Sequence, residues 1–179
     1  AEFLKDEFNI KASEICLPSG NFNILRQKIN VVEIDHTPAY GLEEKVRFGI
    51  IGIGGMGANH ASILLKNQIK DAELTAVCDA DVSHKYKFEN IPFYLNIKNF
   101  LKQDIIDAVI IATPHKSHVE IAKLALQNNI NVIVEKPLAI TSKKCREFIK
   151  FSENYESKFT VMLNQRTNPV YLKIKDLIQ

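Results

Sequence analysis

The sequence predicts an α/β fold, a doubly wound parallel sheet, preceded by a less regular N-terminal extension. Three observations carry this. From Val46 onward, short runs rich in Val and Ile alternate with longer segments of helical character. The first run leads into Gly52, Gly54 and Gly57, spaced G-x-G-x-x-G where a strand would pass into a helix. The later runs end in polar clusters, and in open α/β sheets that edge is where ligands sit.

The elements follow in order. Residues 46–53 form the first strand, with the length and β-branched content of a buried one. A helix over 56–67 and a second strand over 74–78 come next, the strand ending in Asp79. Residues 81–87 read as a short helix and 92–94 as a short third strand; Asn96 caps a helix over 97–102. The fourth strand, 107–112, releases Thr113, Pro114 and His115 at its end. A helix over 117–128 turns Val119, Ile121, Ala122, Leu124 and Ala125 inward. The fifth strand, 131–134, is followed by Glu135, Lys136 and Pro137, and Thr141 caps a helix over 142–155. A sixth strand, 159–164, precedes Gln165 and Arg166, and Pro169 occupies the first turn of a last helix over 170–178.

Residues 1–45 are less regular. Residues 2–9 read as a short helix, Pro18-Ser19-Gly20 as a turn, and 22–34 as two strands. His36-Thr37-Pro38 and Tyr40-Gly41 read as a linker. The segment is expected to pack on the nucleotide domain or to make an intermolecular contact. The expected domains are therefore the extension 1–45, a dinucleotide-binding domain 46–166, and the start of a connection to a further domain over 167–179.

Composition narrows the partners. With 23 basic and 21 acidic residues the net charge is +2, too balanced for nucleic acid or an anionic membrane as the main partner. No apolar stretch is long enough to span a bilayer, and the opening AEFLKDEFNI lacks the pattern of a signal peptide. Cys16, Cys78 and Cys145 are widely spaced and form no C-x-x-C, which fits a cytoplasmic location, and Cys78 and Cys145 read as small core residues.

The glycine turn carries the chemistry. Gly52 permits a tight turn, Gly54 lets the backbone approach a pyrophosphate, and Gly57 lets the helix pack against the strand. The helix N-terminus offers unpaired N–H groups to phosphate. Asp79 follows Gly57 by about 20 residues, where a carboxylate accepts from ribose hydroxyls. A methyltransferase also uses a Gly-rich turn and an acidic second-strand end, and an ordinary turn is the plainest alternative. Position 80 is Ala and no arginine closely follows Asp79, which favours NAD over NADP. His115 and His118 are three apart, but only His118 is firmly helical and no third ligand is evident, so a metal site is not expected. Lys136, directly after a buried strand, is expected to be partly desolvated and so suited to proton transfer or to polarising a hydroxyl. The alternative is a solvated loop lysine.

Residues 46–179 resemble the Gfo/Idh/MocA oxidoreductases, relatives of glucose–fructose oxidoreductase and inositol dehydrogenase. The matching stretches are GIIGIGGMG at 49–57, AVCD at 76–79, AVIIATPHKSHVEIA at 108–122, VIVEKPLAIT at 132–141 and NQRTNP at 164–169. The EKP tripeptide with ATP-x-x-x-H is more specific than the glycines and disfavours a methyltransferase. Tyr155 and Lys158 are one residue too close for the Y-x-x-x-K of short-chain dehydrogenases. The resemblance implies a Rossmann fold with Gly52, Gly54, Gly55, Met56 and Gly57 at the dinucleotide turn and Asp79 at the adenosine ribose. It implies that Thr113, Pro114 and His115 line the cofactor (many relatives carry Asn at the last), with His118 opening the next helix. It places Glu135 near the nicotinamide ribose, Lys136 as the catalytic or substrate-binding lysine, and Arg166 toward cofactor or substrate.

The family usually continues into an open β-sheet domain carrying substrate contacts and the oligomer interface, so that domain is expected to be missing here and the surface it would cover to be apolar. The leading expectation is the NAD(H)-binding domain of a dehydrogenase acting on a sugar, polyol or related alcohol, by the family's NAD(P)-dependent chemistry on CH–OH groups. The alternative is a non-catalytic nucleotide-binding or partner-docking module. A third reading is NADP-linked reduction of an imine or aldehyde. The macromolecular partners left open are a second copy of the chain or a complementing C-terminal domain.

Overall fold

The computed structural model describes residues 45–88 and 90–178. The helix read over 2–9, the turn at Pro18-Ser19-Gly20, the strands within 22–34 and the linker after them lie outside the described residues. The elements of the remainder are strands β1 (Val46–Ile51), β2 (Ala72–Cys78), β3 (Phe93–Tyr94), β4 (Ala108–Ile111), β5 (Asn131–Glu135) and β6 (Phe159–Met162). The helices are α1 (Gly55–Leu65), α2 (Ile97–Phe100), α3 (His118–Gln127), α4 (Ser142–Ser152) and α5 (Pro169–Ile178). The segments Val82–Lys87, His115–Ser117 and Asn164–Thr167 are tighter 3-10 turns.

The six strands form one parallel sheet in the order β3-β2-β1-β4-β5-β6. The order reverses at β1, so the chain leaves β1 and β4 toward opposite faces and opens a crevice at their C-terminal ends. Strand periodicity divides the core accordingly. Ile51, Val109, Ile111, Val132 and Val134 point to the face covered by α3 and by Phe148 of α4. Ile50, Val77 and Ile110 point to the other face, with Ala61 and Leu64 of α1. Gly49, mid-strand in β1, leaves room for the fully buried Phe100: a Cβ there would stand 2.5 Å from its ring.

Local chemistry ends the elements. Asn96 caps α2 by accepting from the Asn99 N–H, and Thr141 caps α4 by accepting from the Lys144 N–H. Asn67 and Asn129, just beyond α1 and α3, have φ of 50° and 59°, the left-handed conformation asparagine tolerates best after glycine. The last helix, α5, buries no residue; Val170, Tyr171, Leu172, Ile174, Leu177 and Ile178 are all exposed. Among the described residues no helix is long and apolar enough to cross a membrane.

Candidate functional site

The site begins at the turn from β1 into α1. Gly52 has φ +89°, and a Cβ there would meet the Ala112 backbone and the Thr113 methyl group at 2.9 Å. Gly57 lies so close to the Gly52 carbonyl that a Cβ would overlap its oxygen. Gly54 and Gly55 are the opposite case, with nothing within 4 Å of where a Cβ would stand. They leave open space over the turn. Gly54 is the N-cap of α1, and neither a capping side chain nor an acidic first-turn residue serves that helix end. Its N–H groups and the positive end of the helix dipole remain available to an anion. Met56 stands exposed in the same turn.

Asp79 closes one side. Its Oδ2 accepts from the Ile53 N–H at 2.6 Å and its Oδ1 from the Asp81 N–H at 2.8 Å, so the carboxylate is tied to the glycine turn. Burial pushes the carboxyl up, but these two N–H groups and the neighbouring His84 ring outweigh it and hold it below its ordinary value. The residue is therefore ionised at neutral pH. Beside it the Cys78 thiol is pushed up to about 12, by burial first and by the Asp79 charge second, so it is neutral and inert.

Gly52, Gly54, Asp79, His84, Thr113 and Pro114 line a single cleft of about 520 Å³, with Leu95 and Ile97 in its apolar wall. A hollow of similar size, about 540 Å³, lies around Arg47, Asp107 and Asn131; it gathers none of the strand-end groups above. Gly52, Gly54 and Asp79 thus share one cleft with Thr113 and Pro114.

The remaining predicted residues stand elsewhere. His118 is fully buried and is not among the residues lining the cleft. Its Nε2 lies 2.7 Å from the Thr113 carbonyl oxygen and its Nδ1 2.8 Å from that of Pro137. Both ring nitrogens thus face carbonyl oxygens. The ring joins the loop after β4 to the loop after β5, and neither nitrogen is free for a metal. His115 is exposed, its ring edge-on to His118 with centroids 5.6 Å apart.

Glu135 is 7% exposed, and its carboxylate points to α1: Oε1 lies 2.8 Å from His60 Nε2 and Oε2 accepts from the Lys136 N–H at 3.2 Å. Its first partner is therefore a histidine rather than open cofactor space. Lys136 is exposed, so the described residues do not supply the desolvation expected of it. Arg166 is likewise exposed, in the turn after β6. Neither lines the cleft.

His60 and His84 are the site residues that sequence reasoning missed. His60 carries a readable signal, three residues after Gly57 on the same helix. The His60–Glu135 contact predicts a coupled pair. Replacing His60 by Ala should destabilise the chain by about 2 kcal/mol, since a buried carboxylate loses its partner. Urea unfolding of His60→Ala, Glu135→Ala and the double variant should show about 1 kcal/mol of coupling. Strict additivity would mean that the pair contributes nothing.

Comparison with known proteins fits this geometry. The profile of the Gfo/Idh/MocA family, an oxidoreductase family with an NAD-binding Rossmann fold, matches residues 46–163. Inositol 2-dehydrogenase of Salmonella paratyphi B is 30% identical over 141 residues, which are 74% of this chain and 41% of that protein. Myo-inositol 2-dehydrogenase of Lactobacillus plantarum superposes with a TM-score of 0.69 at 27% identity, covering 75% of this chain and 41% of the other. The WlbA dehydrogenase of Bordetella pertussis, solved with NADH and UDP-GlcNAcA, gives a TM-score of 0.69 at 26% identity, covering 75% of this chain and 42% of the other. The chain thus spans about two fifths of the length of these relatives.

Proposed function

From the premise that this chain belongs to the Gfo/Idh/MocA oxidoreductase family with its NAD-binding Rossmann fold, we propose that it is the NAD(H)-binding domain of a dehydrogenase acting on a sugar, polyol or related alcohol. The observation that carries the proposal is the cleft in which the open glycine turn, the uncapped end of α1 and the ionised Asp79 meet. Gly54, Gly55 and the α1 N-terminus would hold the pyrophosphate, Asp79 the adenosine ribose, and Thr113 and Pro114 the wall beyond. When bound, the nicotinamide supplies a hydride acceptor or donor. This chain's residues bind and orient. Lys136 holds or moves the proton at the substrate hydroxyl oxygen, and Arg166 adds positive charge toward substrate or cofactor. The inositol and nucleotide-sugar dehydrogenases among the relatives support a polyol or sugar as the substrate class.

NAD is favoured over NADP because Asp79 is ionised and the lining of the cleft contains no Lys or Arg among the described residues. The chain has no Trp, so calorimetric titration with NAD and NADP is the suitable test. Saturable binding is expected, at least tenfold tighter for NAD. Binding of neither dinucleotide would overturn the proposal. A second reading, a nucleotide-binding module without turnover of its own, draws on the exposure of Lys136 and Arg166 outside the cleft. Turnover with a panel of polyols, in the presence of a complementing C-terminal portion, separates the two.

A further inference from the structure

Among the described residues the cleft contains three titratable side chains, Asp79, His84 and Cys78, and the last is neutral. Its charge at the Asp79 end therefore depends on His84. That residue sits in the 3-10 turn Val82–Lys87 directly after β2, and Asp81 fixes the turn by accepting from the Ser83 N–H at 2.9 Å. The ring is only 23% exposed, and Nδ1 lies 3.1 Å from Asp79 Oδ2. Nδ1 is buried and has no other partner among the described residues. Asp79 itself is held on its protein side by the Ile53 and Asp81 N–H groups. His84 is thus placed to act on Asp79 through its charge.

On the reading of this cleft as a dinucleotide site, we propose that His84 sets how strictly the ribose end rejects a 2′-phosphate. With His84 neutral, Asp79 stands as an uncompensated carboxylate: it accepts from a ribose hydroxyl and repels a phosphate. With His84 protonated, the pair is close to neutral and the repulsion is cancelled at its source. Among the described residues the cleft offers no Lys or Arg that would make this adjustment redundant. The charged neighbours recorded for His84 are Asp79, at the end of β2, and Asp81, on its own turn; Lys87 acts on Asp81 from the same turn. The other walls near it, Ala80, Leu95, Ile97, Thr113 and Ser117, carry no charge.

The test is calorimetric titration of the full chain with NAD and NADP between pH 6 and 8.5, for the wild type and His84→Gln. The 2′-phosphate has its own second ionisation near pH 6, and the glutamine variant records that contribution alone. In the wild type, the ratio of the NADP to the NAD dissociation constant should fall, from pH 8 to pH 6, about tenfold more than in His84→Gln, the effect expected of one unit charge near a phosphate at a protein surface. A second variant, His84→Lys, should hold the ratio low across the whole range. Wild-type and His84→Gln ratios that run parallel, or a His84→Lys ratio as high as that of the glutamine variant, would overturn the role of His84 and leave the dinucleotide site standing. Failure of the wild type to bind either dinucleotide would instead overturn the reading of the cleft itself.

Discussion

Gly57→Ala should abolish dinucleotide binding and destabilise the chain by about 3 kcal/mol. The added methyl would overlap the Gly52 carbonyl oxygen and stand 2.9 Å from the Gly52 carbonyl carbon. Both are backbone atoms, so no side-chain rotation relieves the clash. Gly52 cannot give way either, because it is wedged against Ala112 and Thr113 with φ +89°. The only release is for α1 to move off the sheet, which opens the contact of Ala61 and Leu64 with the core. Gly54→Ala is the matching contrast. Nothing lies within 4 Å of its new methyl, so the urea midpoint should stay near wild type while the methyl enters the space over the turn and weakens NAD binding. A Gly57→Ala chain that unfolds at the wild-type midpoint and binds NAD within twofold of wild type would show that the turn is not built as described.

Lys136→Met carries the second large effect, on chemistry rather than folding. Lys136 is exposed and no hydrogen bond of its amino group is recorded among the described residues, so the loss of charge should leave unfolding unchanged. If it moves the proton at the substrate oxygen, turnover should fall about 10²- to 10⁴-fold, the usual contribution of a positioned acid or base. NAD affinity should stay within about twofold, because the residue does not line the cleft. The measurement is turnover on the preferred polyol with a complementing C-terminal portion, beside calorimetry with NAD. Unchanged turnover would remove Lys136 from the proposed mechanism.

The strands and helices were largely legible because their signals are local. The first strand reads as 46–53 from its apolar run, yet β1 stops at Ile51, since Gly52 turns the chain with a positive φ that hydropathy does not encode. The helix expected over 117–128 begins at His118, preceded by a tighter turn in which the Ser117 hydroxyl lies 2.8 Å from both Thr113 Oγ1 and the Pro114 carbonyl. The helix expected to reach Tyr155 ends at Ser152. At the site, the glycine spacing and Asp79 were readable because a strand-turn-helix fixes them in one short segment. The partner of Glu135 was not. Strand alternation puts Glu135, paired with Met162 at the end of the β5 ladder, on the face of α1, but it does not name the group met there. Its partner His60 is 75 residues away in sequence. His84 lies only five residues from Asp79, but the 3-10 turn that folds it back has no hydrophobic period to announce it.

The placement of β1 between β2 and β4 also orders events in time. Its partner β2 begins at Ala72, whereas Phe48 waits for Ala108 on its other edge. A chain emerging from the ribosome therefore exposes one flank of β1, with its unpaired backbone groups, until some sixty further residues have been made. Gly52 gains its backing from Ala112 and Thr113 only then. The glycine turn, although contiguous in sequence, matures late in synthesis, and an early-truncated product would carry the glycines without their backing.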